Sequence, residues 1–254
     1  MIINVAMTIA GSDPAGGAGI QADMRTFEAM GVKGTSVVSA LTAQNAKRVA
    51  GIAPVDPDFV ALQIETLFEA VAIDAVKTGM LLNAGAIGAV AEVLANHRVK
   101  SLVVDPVMKA TAGGDLLEPS AVKTLIEKIF PIARMVTPNA PEATSLTGIE
   151  VTDIKSMKEA AMEIARLGPE NVVITGGHID GERLVDLLLS DGRFFEFVHQ
   201  RIDTKETHGT GCVFSAAITA ALAMGRPVEK AVKQAGEFVE KKLKTQEEYR
   251  SRIA

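Results

Sequence analysis

The chain has 254 residues, of which 48% are hydrophobic and 22% charged, a composition that predicts a large apolar core and excludes a disordered chain. Its formal net charge of −5 and scattered basic residues argue against a nucleic-acid-binding protein. A single cysteine excludes an internal disulfide framework, and the first apolar run is too short for a signal peptide or a membrane span, so a cytoplasmic protein without a membrane partner is expected.

Short β-rich runs alternate with longer helical patterns along the chain, which is typical of βαβ units and a mainly parallel sheet. Strands are predicted at residues 2–10, 32–44, 73–77, 101–105, 135–137 and 172–175. Helices are predicted at residues 20–30, 57–70 with Asp56 as the cap, 84–97, 119–130, twice within 140–167, 212–224 and 228–244. A β-hairpin is predicted at residues 184–189 and 193–198. No linker or repeat interrupts this pattern, so residues 1–254 are expected to form one domain.

Residues 11–19 form a glycine-rich loop between the first predicted strand and helix. The loop lacks the lysine of a P-loop, and it lacks the GxGxxG spacing that a nicotinamide-binding dehydrogenase would need. Its four glycines predict close approach of a ligand to the backbone. If Asp23 and Gln44 face the same crevice, they can hydrogen-bond a flat nitrogen-containing ring, with Met80 as an apolar wall. The alternatives are a solvated Asp23 and an edge-strand Gln44.

Polar residues also follow the ends of two later strands. Asp105 ends a buried strand, which predicts a bound cation or a hydrogen-bonding role, because an unpartnered buried carboxylate is costly. Asn139 and Glu142 stand three residues apart at a strand-to-helix junction, where they can form a capping box. The alternative is a Mg²⁺ site bridged by water, because Mg²⁺ prefers few carboxylates and retains water.

The most informative stretch is a glycine-rich turn, residues 208–212, that opens into a helix of small residues. The unpaired N–H groups of a helix N-terminus and the helix dipole form an anion site. Cys212 stands at that N-terminus, where a thiol is expected to have a lowered pKa. The alternative is a buried cysteine that only fills space. Donors beside a residue that can manage a hydroxyl proton favour phosphoryl transfer, with Cys212 as either a general base or a positional aid.

Seven segments stand in the order found in hydroxymethylpyrimidine/phosphomethylpyrimidine kinases, and the chain resembles this family from about residue 3 to about residue 243. The segments are GSDPAGGAGIQAD (11–23), TAQN (42–45), KTGM (77–80), VDPVM (104–108), TPNAPE (137–142), GGH (176–178) and THGTGC (207–212). The family belongs to the ribokinase-like superfamily. The resemblance implies an α/β fold with three α/β/α layers and a central, mostly parallel sheet flanked by helices.

The resemblance also implies ATP and Mg²⁺ as cofactors and a homodimer. The implied reaction is phosphorylation of 4-amino-5-hydroxymethyl-2-methylpyrimidine, then of its monophosphate to the diphosphate, in thiamine biosynthesis. The nearest alternative is a pyridoxal kinase of a related cysteine-containing group. Gln44 favours the pyrimidine, because its amide can match the ring nitrogen and the exocyclic amine together.

The candidate site residues fall into four sets. They are a catalytic turn of Gly209, Thr210, Gly211 and Cys212; substrate contacts at Gly11, Asp23, Gln44, Met80 and Val107; ATP or phosphate contacts at Asn139, Thr175, Gly209 and Gly211; and Asp105 and Glu142 for Mg²⁺, partly through water. The family usually has a lysine where this chain has Thr175, and often a Gly-x-Gly-Pro segment after the final helix. These two departures keep open a catalytically weak sensor of the pyrimidine phosphate.

Overall fold

The computed structural model describes residues 3–45, 47–110, 113–179, 183–202 and 209–253. Its strands are β1 (Val5–Ser12), β2 (Lys33–Asn45), β3 (Arg48–Pro54), β4 (Ala75–Thr78), β5 (Leu102–Val104), β6 (Met135–Val136), β7 (Asn171–Ile174), β8 (Arg183–Ser190) and β9 (Arg193–Gln200). Its α-helices are α1 (Gly19–Ala29), α2 (Pro57–Ala70), α3 (Ala84–Asn96), α4 (Val122–Thr124), α5 (Ala140–Thr147), α6 (Ile154–Ala165), α7 (Thr210–Ala223) and α8 (Val228–Ile253).

The strands form one sheet in the order β3-β2-β1-β4-β5-β6-β7-β8-β9. The six strands from β2 to β7 in this order run parallel, and β3, β8 and β9 pair antiparallel at the two edges. The hydrogen-bonded ladder of β8 and β9 confirms the predicted hairpin. The predicted α/β fold with a mostly parallel central sheet is therefore confirmed.

Helices cover both faces of the sheet and make three layers. On one face, buried side chains of α2, α3, α5 and α6 pack against alternate strand residues such as Val76. On the other face, the neighbouring strand residue Ala75 packs with α1 and α7, and α8 covers α7. Every residue of α7 from Val213 to Ala223 is buried, because the sheet, α1 and α8 surround this helix. Its alanines allow that close packing.

Helix α8 continues to Ile253, past its predicted end at residue 244, and two other parts of the chain also differ from the predicted elements. Strand β3 has no predicted counterpart, because residues 48–54 contain Gly51 and few β-branched side chains, and their pairing with β2 is tertiary. The single helix predicted at residues 119–130 is wrong in detail. The chain instead forms a 3₁₀ turn, the short α4, a π-helical stretch at Leu125–Ile129 and a second 3₁₀ turn at Phe130–Ile132. Pro131 has no N–H group, so the helical hydrogen bonds cannot continue through it.

The sheet order locates the place where a ligand is expected. From β1 the chain moves to β2 on one side, and it then returns to β4 on the other side of β1. In open α/β sheets, ligands bind outside the carboxyl ends of the strands at such a reversal. The carboxyl ends of β1, β4, β5, β6 and β7 lie along this one edge, because these strands are parallel. Separately, the described helices include none that is long and apolar enough to cross a membrane.

Candidate active site

Two glycine-rich turns meet at this edge of the sheet. Gly209 precedes α7 with a φ of +77°, and a Cβ atom on it would lie 2.0 Å from the carbonyl oxygen of Gly17. A Cβ atom on Gly19 would lie 2.4 Å from the carbonyl oxygen of Gly11. Both contacts exclude any larger residue. The loop at residues 11–19 therefore lies directly against the N-terminus of α7, as a shared ligand site requires.

Asp13 holds this loop in shape. Its carboxylate accepts hydrogen bonds from the N–H groups of Ala15 at 2.9 Å and Ala18 at 2.8 Å. Its own N–H donates to Oε1 of Gln21 at 2.9 Å. The side chain is buried, so these donors offset the cost of placing a carboxylate there. The sequence offers a weak signal for this role, an aspartate before a proline in a turn.

Cys212 lies in the first turn of α7, half-buried beside the loop. Burial raises the pKa of the Cys212 thiol to about 12, although the charge of Lys77 and the N–H of Gly19 lower it. The predicted lowering of this pKa is therefore wrong for the protein without ligands. The N-terminal position of α7 is as predicted, but loss of solvation outweighs the favourable helix N-terminus.

A fully buried lysine lies between the strands and α1. The Nζ atom of Lys77 is 2.7 Å and 2.9 Å from the two carboxylate oxygens of Asp23, and 3.8 Å from Oδ2 of Asp105. The hydroxyl of Thr8 donates to Oδ2 of Asp23 at 2.6 Å. Burial alone would lower the pKa of Lys77, but the charges of Asp23, Cys212 and Asp105 raise it above its ordinary value. Lys77 is therefore a fixed positive charge behind the site.

This network corrects the role predicted for Asp23. The residue is fully buried, and both of its carboxylate oxygens are bound inside the protein. The prediction that Asp23 hydrogen-bonds a substrate ring directly is therefore wrong. The predictions did not single out Lys77. Its signal was present, because a lysine inside the short buried strand Ala75–Thr78 needs a buried partner.

Asp105 directly follows β5, and Glu142 lies in the first turn of α5, after the neighbouring strand β6. The hydroxyl of Ser215 in α7 donates to Oδ2 of Asp105 at 2.8 Å. Glu142 accepts hydrogen bonds from the N–H groups of Asn139 at 2.9 Å and Met108 at 3.4 Å. Burial and then the charge of Asp105 raise the pKa of Glu142 to about 8. Oδ1 of Asn139 accepts the Glu142 N–H at 2.9 Å, so the capping box that the sequence allowed is confirmed.

These residues are compatible with a water-held Mg²⁺ ion. The described part of the chain contains no group of three or more histidine, cysteine or acidic side chains that could hold a metal. Asp105 and Glu142 are close enough for the charge of Asp105 to raise the pKa of Glu142. A divalent cation between them would relieve that repulsion. Mg²⁺ is the ion that accepts one or two carboxylates and keeps its water.

An apolar cluster lies near the carboxyl ends of β1 and β4. Met80 forms a buried cluster with Ala40 and Leu116, and Val107 and Val49 pack against it. A Cβ atom on Gly11 would lie 2.8 Å from the sulfur of Met80, so these two residues touch. Gln44 pairs with Val49 across β2 and β3 and is half-buried. The structure therefore brings Gly11, Met80 and Val107 together and places Gln44 on the strand pair beside them.

The predicted phosphate contacts occupy neighbouring strand ends. The N–H of Thr175 donates to the carbonyl oxygen of Pro138 at 3.0 Å, and Thr175 forms a parallel bridge with Asn139. Both side chains are half-buried. Thr210 and Gly211 lie in the first turn of α7 with Cys212. Residues 207 and 208 of the last motif lie outside the described residues.

Comparison with known sequences gives a consistent family. The model of the phosphomethylpyrimidine kinase family matches residues 13–253. A hydroxymethylpyrimidine/phosphomethylpyrimidine kinase of Haemophilus influenzae is 46% identical over 237 residues, which cover 92% of this chain and 88% of that protein. The thiamine biosynthesis bifunctional protein ThiED of Geobacter sulfurreducens is 48% identical over 233 residues. These cover 92% of this chain, and the chain spans about half (48%) of that relative's length.

Solved structures agree with the sequence comparison. The crystal structure of phosphomethylpyrimidine kinase from Clostridium difficile has a TM-score of 0.84 and 40% identity, covering 94% of this chain and 99% of that one. The ADP complex of Bacillus subtilis pyridoxal kinase has a TM-score of 0.86 and 38% identity, covering 93% of this chain and 90% of that one. The fold alone therefore does not separate a pyrimidine kinase from a pyridoxal kinase.

Proposed function

Because the chain belongs to the phosphomethylpyrimidine kinase family, we propose that it transfers the γ-phosphoryl group of ATP to 4-amino-5-hydroxymethyl-2-methylpyrimidine and then to the monophosphate, in thiamine biosynthesis. The observation that carries this proposal is the contact between the loop at residues 11–19 and the N-terminus of α7, where Gly209 leaves no room for a side chain. The N–H groups in the first turn of a helix are suited to stabilise a transferring phosphoryl group. The apolar cluster around Met80 lies at the same edge of the sheet.

The pyrimidine ring is proposed to lie in the pocket formed by Gly11, Met80 and Val107. An apolar pocket with one well-placed polar group is typical of a small-molecule site. Gln44 supplies that group, since its amide both donates and accepts hydrogen bonds and can pair with a ring nitrogen and the neighbouring amine. The hydroxymethyl group then points toward Cys212.

Cys212 is proposed to accept the proton of the substrate hydroxyl. As the proton moves to sulfur, the hydroxyl oxygen bonds to the γ-phosphorus, and the bond from that phosphorus to the bridging oxygen breaks and releases ADP. The fixed charge of Lys77 and the Gly19 N–H both favour the thiolate form of Cys212. The N–H groups of Gly209, Thr210 and Gly211 face the phosphoryl group as it transfers.

ATP and Mg²⁺ are the proposed cofactors. Asn139 and Thr175, with Gly209 and Gly211, are proposed to bind the phosphates, and Asp105 and Glu142 to hold Mg²⁺ mainly through water. A Mg²⁺ ion held there would neutralise charge on the phosphates. The substitution Glu142→Gln should raise the Mg²⁺ concentration needed for half-maximal rate, whereas Glu150→Gln, just after α5 and exposed, should not. An unchanged requirement in Glu142→Gln would leave that residue as a helix cap only.

Two other functions remain as outcomes of the test. The similarity to Bacillus subtilis pyridoxal kinase, whose structure is an ADP complex, favours pyridoxal as the second candidate substrate. A pyrimidine-phosphate sensor would bind the ligand without forming ADP. The deciding experiment incubates the protein with ATP, Mg²⁺ and the pyrimidine alcohol and measures products by mass spectrometry. We expect mono- and diphosphate, and no product above a Cys212→Ala control would contradict the proposal.

The enzyme is further proposed to be a cytoplasmic homodimer. A single cysteine fits a reducing compartment. Helix α2 packs against β2, which lies beside the edge strand β3. Three large apolar side chains are more than half exposed there, Leu41 of β2 and Phe59 and Leu62 of α2. Such exposure is typical of a surface that a second copy covers. Sedimentation should show a dimer for the natural sequence and a monomer for Leu62→Glu. A monomeric natural protein would contradict this proposal.

A further inference from the structure

The turn at residues 175–179 connects the parallel part of the sheet to the β8–β9 hairpin. It follows β7, and its first residue, Thr175, is bridged to Asn139 at the end of β6. These two residues are the proposed phosphate contacts on this side of the site. Any residue that fixes the backbone of this turn therefore fixes the position of Thr175.

Two side chains of the hairpin hold the turn at different points. Oδ1 of Asp186 in β8 accepts a hydrogen bond from the Gly176 N–H at 3.1 Å. The guanidinium of Arg201, just after β9, donates to the carbonyl oxygens of Gly177 at 3.3 Å and Ile179 at 2.5 Å. The Gly176 N–H and the carbonyl groups of Gly177 and Ile179 are thus all bound by side chains of β8 and of the residue after β9.

The turn also packs tightly against β8. A Cβ atom on Gly176 would lie 2.2 Å from the carbonyl oxygen of Val185, so the backbone at Gly176 is in direct contact with the strand. No side chain fits between them. A small shift of β8 would therefore move Gly176, and Thr175 with it.

Asp186 is itself held in place from behind. It is 5% exposed, and its Oδ2 lies 3.3 Å from Nε2 of His199 in β9. The His199 ring lies over Gly236 of α8, where a Cβ atom would come within 2.4 Å of Cε1, and Nδ1 lies 4.0 Å from Glu240. Burying a carboxylate costs free energy unless its oxygens are hydrogen-bonded or paired with a charge. Among the described residues, the polar contacts of Asp186 are His199 and the Gly176 N–H.

We propose that Asp186 and Arg201 are positioning residues that hold the 175–179 turn for the nucleotide phosphates, so that the β8–β9 hairpin sets the affinity for ATP. This inference rests on the proposed kinase function. The proposed pyrimidine site lies at β1 and β4, several strands away from β8 and β9 in the sheet. Loss of either residue should therefore affect the two substrates unequally.

The test compares steady-state kinetics of Asp186→Ala, Asp186→Asn and Arg201→Ala. Asp186→Ala and Arg201→Ala should raise KM for ATP by about tenfold or more and leave KM for the pyrimidine unchanged. Losing a residue that orients a binding group typically weakens binding by that factor. Asp186→Asn should keep much of the ATP affinity, since its amide oxygen can still accept the Gly176 N–H. The control is Glu196→Ala, on the same hairpin but paired with Lys158 at the exposed surface.

Calorimetry with a non-hydrolysable ATP analogue gives a second readout that does not depend on turnover. The weaker binding expected for Asp186→Ala and Arg201→Ala should appear there as well. Equal changes in both KM values, or only a lower Tm with both KM values kept, would overturn the positioning role. The natural protein could prove inactive while these variants still bind the analogue more weakly than it does. That result would contradict the kinase proposal and support the inference. Binding that all variants retain would overturn the inference.

Discussion

Lys77 and Asp23, separated by 54 positions in the chain, form a fully buried ion pair with 2.7 Å between Nζ and Oδ1. The pair joins β4 to α1 behind the two glycine-rich turns, and Asp105 lies 3.8 Å from the same ammonium group. One buried cation therefore interacts with two carboxylates. This arrangement makes the lysine a structural and an electrostatic part of the site.

Lys77→Met should destabilise the fold strongly. Removing one partner of a buried pair leaves an uncompensated charge, which typically costs about 3–5 kcal/mol in the free energy of unfolding. Lys158→Met, which removes an exposed pair with Glu196, should cost less than about 1 kcal/mol. Urea denaturation of both variants measures the difference. Equal losses in the two variants would contradict the account of the buried pair.

Cys212 should react slowly with alkylating agents at neutral pH. Its pKa is raised to about 12, so the reactive thiolate should be scarce near pH 7 and increase about tenfold with each pH unit. Because the chain has no other cysteine, iodoacetamide reports on this thiol alone. The rate should still be rising at about pH 9, well short of a plateau. A plateau reached at or below neutral pH would show that the helix N-terminus prevails over burial.

Cys212→Ser should lower kcat by about 10²–10⁴, the usual contribution of a general base, with little change in substrate binding. Cys212→Asp should recover part of this loss, because a carboxylate is charged at neutral pH. Its kcat should also depend less on pH than that of the natural enzyme. Steady-state rates across pH test both expectations. A serine variant with a nearly normal kcat would leave the thiol as a packing residue.

Two elements show how far secondary structure could be predicted from the sequence. Helix α2 spans the predicted residues, Pro57–Ala70. Its start is marked by local signals, because Asp56 caps it and Pro57 occupies its first turn. Strand β3 was not predicted, since it depends on pairing with β2 rather than on its own residues. Local patterns thus predict an element well only where the stabilising contacts are also local.

The site shows the same division. Residues at strand ends, such as Asp105 and Met80, were expected at the ligand edge because parallel strands end together. The Asp23–Lys77 pair could not be predicted from spacing, and it binds the Asp23 carboxylate inside the protein. The raised pKa of Cys212 depends on burial by loops that are distant in the chain, whereas the prediction used only the helix N-terminus.

His199 should stabilise the fold more in acid than in base. Its interaction with Asp186 raises its pKa, burial opposes this, and the charges of Asp186, Glu240 and Glu237 add to the rise. A raised pKa in the folded state gives stability that is present below the unfolded value of about 6.5 and is lost as pH increases through the folded value. His199→Gln should therefore lower Tm more at about pH 6 than at about pH 8.5. An equal loss at both pH values would exclude a charged His199.

The most direct test of the central claim is a comparison of kcat/KM for the pyrimidine alcohol and for pyridoxal, with saturating ATP and Mg²⁺. A site with Gln44 beside Met80 and Val107 should prefer the pyrimidine, because a substrate that leaves a buried amide unpaired is penalised. Gln44→Leu should remove most of that preference. The account predicts a higher kcat/KM for the pyrimidine alcohol and formation of its diphosphate. A higher kcat/KM for pyridoxal, or no diphosphate from the pyrimidine, would contradict it.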